Sequence, residues 1–144
     1  MKVLIVDDEE ETVDYLESLL CSAYADVNIF RAFNGADALQ LCSTIPFDLI
    51  CTDIAMPVMN GLDFAVNLRG TEGLNQDTGI ILISGVIDQT PSQCDMFQGM
   101  FFLSKPFQVA TFHMTVSLAS KAPSDKGRLH STSTGRKKAA GASD

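Results

Sequence analysis

Four short apolar runs in this chain each hand over to a side chain that can do chemistry. Asp7 and Asp8 follow Lys2–Val6, Asp53 follows Leu49-Ile50-Cys51, Ser84 follows residues 80–83, and Lys105 stands just behind residues 100–103. Runs this short, bounded by Pro, Gly and acids, read as strands buried on both faces. Side by side and parallel, such strands share one rim, so residues spread from position 7 to position 105 would converge there. Three carboxylates gathered within a few ångströms repel each other and stay ionised together only with a cation among them. The donors are all oxygen, without His or thiolate, which suits Mg²⁺ rather than zinc. Lys105 adds a fixed positive charge and Ser84 a hydroxyl. Around one carboxylate, that set is shaped for a phosphoryl group carried on the carboxylate itself. Each residue also has an ordinary explanation: Asp7 and Asp8 as helix caps, Asp53 and Ser84-Gly85 as turns, Lys105 before Pro106 as a solvated strand end. Their recurrence at four strand ends is the signal.

The elements that must position them follow from periodicity. After the acids 7–11, Val13, Leu16 and Leu20 recur at three- and four-residue spacing and predict an amphipathic helix. Its acidic start suits the helix dipole. A second strand is expected over 27–32, with Asn34-Gly35 closing it and a second helix ending before Pro46. After Asp53, Met56-Pro57 and Asn60-Gly61 force a loop, Gly61 being read as tolerant of positive φ. A short third helix follows over 62–68, and 71–78 (TEGLNQDT) reads as a polar surface loop. The stretch 86–99 is a poor helix, with Pro91 tolerable only in its first turn and Gly99 as a stop. Residues 107–120 fit both periods: Phe112, Met114, Val116 and Leu118 alternate as in a strand, while Val109, Phe112, Val116 and Ala119 fit a helix. The alternation of strands with helices favours helix, which would carry apolar groups on more than one face, as interaction surfaces often do. Together these elements predict an α/β parallel sheet with helices on both faces and right-handed crossovers.

Bulk properties set the limits. A chain of 144 residues holds one full core. No run approaches the ~18 apolar residues of a membrane span, and MKVLIVDDEE resembles no signal peptide, so a cytoplasmic location is expected. Cys21, Cys42, Cys51 and Cys94 are scattered, without C-x-x-C spacing, and are read as buried thiols in a reducing compartment. His113 and His130 have no metal-ligand spacing. Residues 1–120 carry 16 acids against Lys2, Arg31, Arg69 and Lys105, whereas 121–144 carry six cations against Asp125 and Asp144. The acidic body argues against nucleic acid as a partner of the folded domain. The composition of 121–144, nearly devoid of large apolar residues, reads as a basic disordered tail behind a domain at 1–120.

Val6-Asp7-Asp8, the D-x-x-M-P-x-M-x-G run from Asp53 to Gly61, Ser84, and Lys105-Pro106-Phe107 together resemble the receiver domain of two-component response regulators over residues 3–120. The resemblance implies a flavodoxin-like five-stranded sheet in the order 2-1-3-4-5, with Asp53 as phospho-acceptor. It implies Mg²⁺ held by Asp8, Asp53 and the backbone carbonyl of Ala55, with Asp7 acting through water. Lys105 would pair with phosphoryl oxygens, and its bond to Pro106 would be cis. Ser84 and Phe102 would be the switch residues, moving the face of the fourth helix, fifth strand and last helix. Expected partners are a histidine kinase or phosphotransfer protein and a downstream protein, with a homodimer through that face left open. Only phosphoryl acceptance and self-hydrolysis would be enzymatic. Ala55 and Val86, at positions thought to modulate attack by water in this family, are both non-polar and suggest slow dephosphorylation. No output domain is expected after residue 120, which suggests a stand-alone receiver signalling by contact or relaying phosphate.

Two other classes compete. A phosphohydrolase of the haloacid-dehalogenase type also uses Asp, Ser/Thr and Lys, but expects D-x-D after the first strand. Here Asp7 is followed two positions on by Glu9, and nothing acidic pairs near Lys105. A receiver-like protein-binding module without phosphorylation is the other; the intact acidic set argues against it.

Overall fold

The computed structural model describes residues 1–85 and 98–121. The helix expected from residue 86 and the tail beyond 121 therefore fall, wholly or nearly so, outside the described residues. The described residues form five strands and four helices, in the order β1 (Lys2–Val6), α1 (Glu10–Ala23), β2 (Asn28–Ala32), α2 (Gly35–Cys42), β3 (Leu49–Asp53), α3 (Gly61–Gly70), β4 (Ile80–Ser84), β5 (Met100–Ser104) and α4 (Val109–Lys121). All pairings are parallel and the order is β2-β1-β3-β4-β5, the flavodoxin-like arrangement expected.

The apolar runs form inner strands because helices cover both faces of the sheet. Successive residues alternate between two cores. Leu4, Val6, Ile50, Ile80 and Leu82 pack with Ala38 of α2 and Phe64 and Leu68 of α3. Val3, Ile5, Cys51, Ile81 and Ile83 pack on the other face with Val13, Leu16 and Leu20 of α1 and Phe112, Val116 and Ala119 of α4. The two-fold ambiguity over 107–120 resolves as helix, with Phe112, Val116 and Ala119 fully buried while Met114 and Leu118, which a strand would bury, are 64% and 55% exposed. The helix packs closely on the sheet: a Cβ on Gly79, just before β4, would run into the carbonyl of Ala119. No helix among the described residues is long and apolar enough to cross a membrane.

Three expectations need correction. Gly61 is not in the left-handed region; Gly99 and Val58 are, with φ of 78° and 70°. Gly61 is required for space, since a Cβ there would collide with the carbonyl oxygen of Asp53. Asn34 and Asn60 likewise do more than turn the chain: each side chain caps a helix, accepting from the backbone N–H of Asp37 or Asp63 at 2.8 Å. The 71–78 loop is not simply surface. Asn75 is 1% exposed; it donates to the carbonyls of Cys42 and Ile45 and accepts from the Phe47 N–H and the Thr78 hydroxyl. Finally, Cys42 and Cys51 are buried, with thiols pushed up to about 12 by desolvation, but Cys21 lies exposed on α1.

Candidate functional site

The parallel register carries the residues singled out in the sequence to one rim. Val6 pairs with Thr52, Asp53 with Ile83, and Ser84 with Ser104. The ladder runs slightly past the strands, with Asp7 N–H donating to the Ala32 carbonyl at 3.1 Å and Lys105 N–H to the Ser84 carbonyl at 2.8 Å. Backbone hydrogen bonds thus fix the points from which Asp7 and Lys105 project. Gly61 N–H donates to the Ile54 carbonyl at 2.8 Å and draws the loop after Asp53 against the strand end.

Carboxylate oxygens of Asp7, Asp8 and Asp53 lie within 4.8 Å of one another. Lys105 Nζ donates to Asp53 Oδ1 at 3.0 Å, joining the end of β5 to the end of β3. Asp7 is 2% exposed, and its Oδ1 accepts from the Glu9 N–H at 2.9 Å. Burial, with added repulsion from Asp53 and Asp8, pushes its carboxyl up to about 6 against the opposing pull of that hydrogen bond and of Lys105. Asp53 is also raised, chiefly by burial, while its hydrogen bond and attraction to Lys105 pull it back. One ammonium does not compensate three acids held this close, and the donor set consists of hard oxygens on a partly open rim. A small divalent cation fits these residues on both counts.

The residues singled out in the sequence do not all stand at the same depth. Asp7, Asp8, Asp53 and Lys105 form one cluster. Ser84 closes β4 on the same rim, and Ala55 is exposed two residues beyond Asp53. The Lys105–Pro106 bond is cis. Phe102 is half-buried, pairs in register with Leu82 and packs against the core on the α2–α3 side of the sheet. Val86 lies outside the described residues. Sequence reasoning missed Thr52, fully buried, whose hydroxyl donates to the Asp53 carbonyl at 2.9 Å. A lone hydroxyl in an otherwise apolar strand, next to Asp53, was the available signal. It missed Glu9 too, whose N–H anchors Asp7 and whose charge helps raise Asp53.

Comparison with known proteins agrees with this geometry. The model of the response regulator receiver domain matches residues 3–117. The transcriptional regulatory protein CusR of Escherichia coli K12 is 35% identical over 112 residues, 76% of this chain and 47% of CusR. The chain thus spans less than half the length of such curated relatives. Among solved structures, the receiver domain of Francisella response regulator 1452 is 26% identical with a TM-score of 0.67, covering 83% of this chain and 96% of that one. Response regulator TrrA of Thermotoga maritima, in complex with Mg(2+)-BeF, is 25% identical with a TM-score of 0.69, covering 82% and 97%.

Proposed function

The chain belongs to the response regulator receiver domain family of two-component signalling, and from that premise we propose that it accepts a phosphoryl group on Asp53 from a histidine-phosphate donor. The observation that carries this reading is the meeting of three carboxylates with the Lys105 ammonium, 3.0 Å from Asp53 Oδ1.

Asp53 is the nucleophile. A carboxylate oxygen attacks phosphorus, the P–N bond to the donor imidazole breaks, and its electron pair returns to the ring. Lys105, already on Asp53 Oδ1, stands where it can pair with the phosphoryl oxygens as charge moves onto them. Mg²⁺ held by Asp8, Asp53 and the Ala55 carbonyl, with Asp7 helping through water, would supply the remaining positive charge. Asp7 is held in place for this by the Glu9 N–H. The Ser84 hydroxyl and the Phe102 ring have two arrangements available, and the acyl phosphate favours one of them by ~1–3 kcal/mol. The shift reaches β5 and α4, whose Val109, Met114 and Leu118 are exposed apolar groups suited to a protein partner. Beyond accepting and losing its own phosphate, the domain turns over no substrate in this reading.

Incubation with Mg²⁺ and a small acyl phosphate, followed by intact mass, tests it. Wild type should gain one phosphate and Asp53→Asn none. Equal gain by Asp53→Asn would overturn the acceptor, and no gain by wild type would overturn the function.

A further inference from the structure

A groove of about 560 Å³ opens beside the acidic site, between α1 and the segment leading into α4. The buried Leu16 and Ile83 line it, the rings of Tyr15 and Phe107 stand 6.3 Å apart along it, and Glu9 and Glu11 are acids on its lining. Tyr15 is 48% exposed, a large ring left half in water. The groove is thus apolar, with Glu9 and Glu11 outnumbering Lys105 on its lining, and its ligand should be an apolar side chain flanked by cations.

This chain contains such a segment outside the described residues. Over 122–144 the one large aliphatic residue is Leu129, set in Lys126-Gly127-Arg128-Leu129-His130. We propose that this segment docks in the groove of its own chain, with Leu129 against Tyr15 and Phe107 and with Lys126 and Arg128 on Glu9 and Glu11. The reach is sufficient. The Ala119 carbonyl lies against Gly79, just before β4, so α4 ends at the amino ends of the strands, opposite the acidic rim. Its 13 residues span ~20 Å at 1.5 Å each. Leu129 lies eight residues past Lys121, which extended cover ~26 Å, enough to return along the same face of the sheet. Charge favours the return, because the body is strongly acidic and 121–144 basic, and tethering raises the local concentration of the segment. Docked there, the segment stands beside Lys105, which also lines the groove.

Zero-length carbodiimide coupling of the full chain, without Mg²⁺ or phosphodonor, tests the contact independently of phosphorylation. Peptide mass spectrometry of the monomer should find Lys126 joined to Glu9 or Glu11. The yield should fall several-fold in Leu129→Ser and at high salt. In amide NMR spectra, Lys126→Gln/Arg128→Gln/Leu129→Ser should move the signals of Tyr15 and Phe107, whereas Arg136→Gln/Lys137→Gln/Lys138→Gln should leave them. Coupling of Lys126 mainly to Asp26 or Asp48, coupling between chains only, or equal NMR shifts from both variants would overturn the proposal.

Discussion

The two ends of the sheet treat buried polar groups in opposite ways. At the amino ends of the strands, Asn75 is sealed from water and uses its amide fully, with four hydrogen bonds tying the end of α2, the entry to β3 and its own loop together. Arg69, nearby, spreads its guanidinium over the carbonyls of Gln76, Gln98 and Gly99. At the carboxyl ends, Asp7 is equally buried but its neighbours include two further acids and a single ammonium. One end is satisfied by the chain itself. The other, among the described residues, keeps an excess of negative charge. The difference separates a polar cluster closed by its own hydrogen bonds from one still open to a cation.

Removing a satisfied group should cost most. Asn75→Ala leaves the Phe47 N–H and the Cys42 and Ile45 carbonyls without their partner in a buried place. The expected loss is about 3–5 kcal/mol in urea unfolding at 25 °C, with or without Mg²⁺. A loss below ~1 kcal/mol would mean that water replaces the amide and that the two ends differ less than they look.

Removing an unsatisfied group should do the reverse. Asp7 has a folded value of about 6 against 3.8 for the free group, so the folded state holds this proton more tightly. Its contribution to stability is complete below pH 3.8 and disappears as pH rises through about 6, a total of ~3 kcal/mol. In Asp7→Asn the Oδ1 that accepts from Glu9 is kept and the charge is gone. Without Mg²⁺, Asp7→Asn should therefore be more stable than wild type by ~1–3 kcal/mol at pH 7.5, and the gain should shrink as pH falls toward 4. Added Mg²⁺ should stabilise wild type and largely spare the variant. Urea midpoints from pH 4 to 8, with and without Mg²⁺, check all three signs.

Much of this was legible because strands buried on both faces are written as plain apolar runs. Each run ends on the residue that matters, and 13, 16 and 20 fall on one helix face with no competing period. The assembly of Asp7, Asp8, Asp53 and Lys105 needed only parallel pairing. What escaped depends on contacts between distant segments. Nothing local marks Asn75, in TEGLNQDT, as more buried than its neighbour Leu74, which is 58% exposed. Its partners at 42, 45 and 47 come near only once α2 and β3 have packed. Gly61 was recognised as necessary for the wrong reason, because a collision with the Asp53 carbonyl cannot be seen until the loop folds back. The helix at 107–120 carried both periods, and only its packing on the sheet, which buries Phe112, Val116 and Ala119 together, distinguishes them.

The smallest expected effect makes the sharpest comparison. Arg69→Lys replaces a fork that reaches three carbonyls, at 2.8 to 3.2 Å, by one ammonium that cannot serve them all. Burial already holds the Arg69 guanidinium below its usual range, so the smaller, more strongly hydrated ammonium should be worse placed there. Water can reach the carbonyl of the exposed Gln98 and limits the cost to ~1 kcal/mol. Arg69 and Asp7 lie at opposite ends and share no partner, so the cost of Arg69→Lys should be the same with and without Mg²⁺, while that of Asp7→Asn changes sign or size. The double variant should equal the sum of the singles within ~0.5 kcal/mol. A Mg²⁺-dependent cost at Arg69, measured in the same urea titrations, would mean that the rim and the entry to β5 are one coupled unit and that the two ends are not independent.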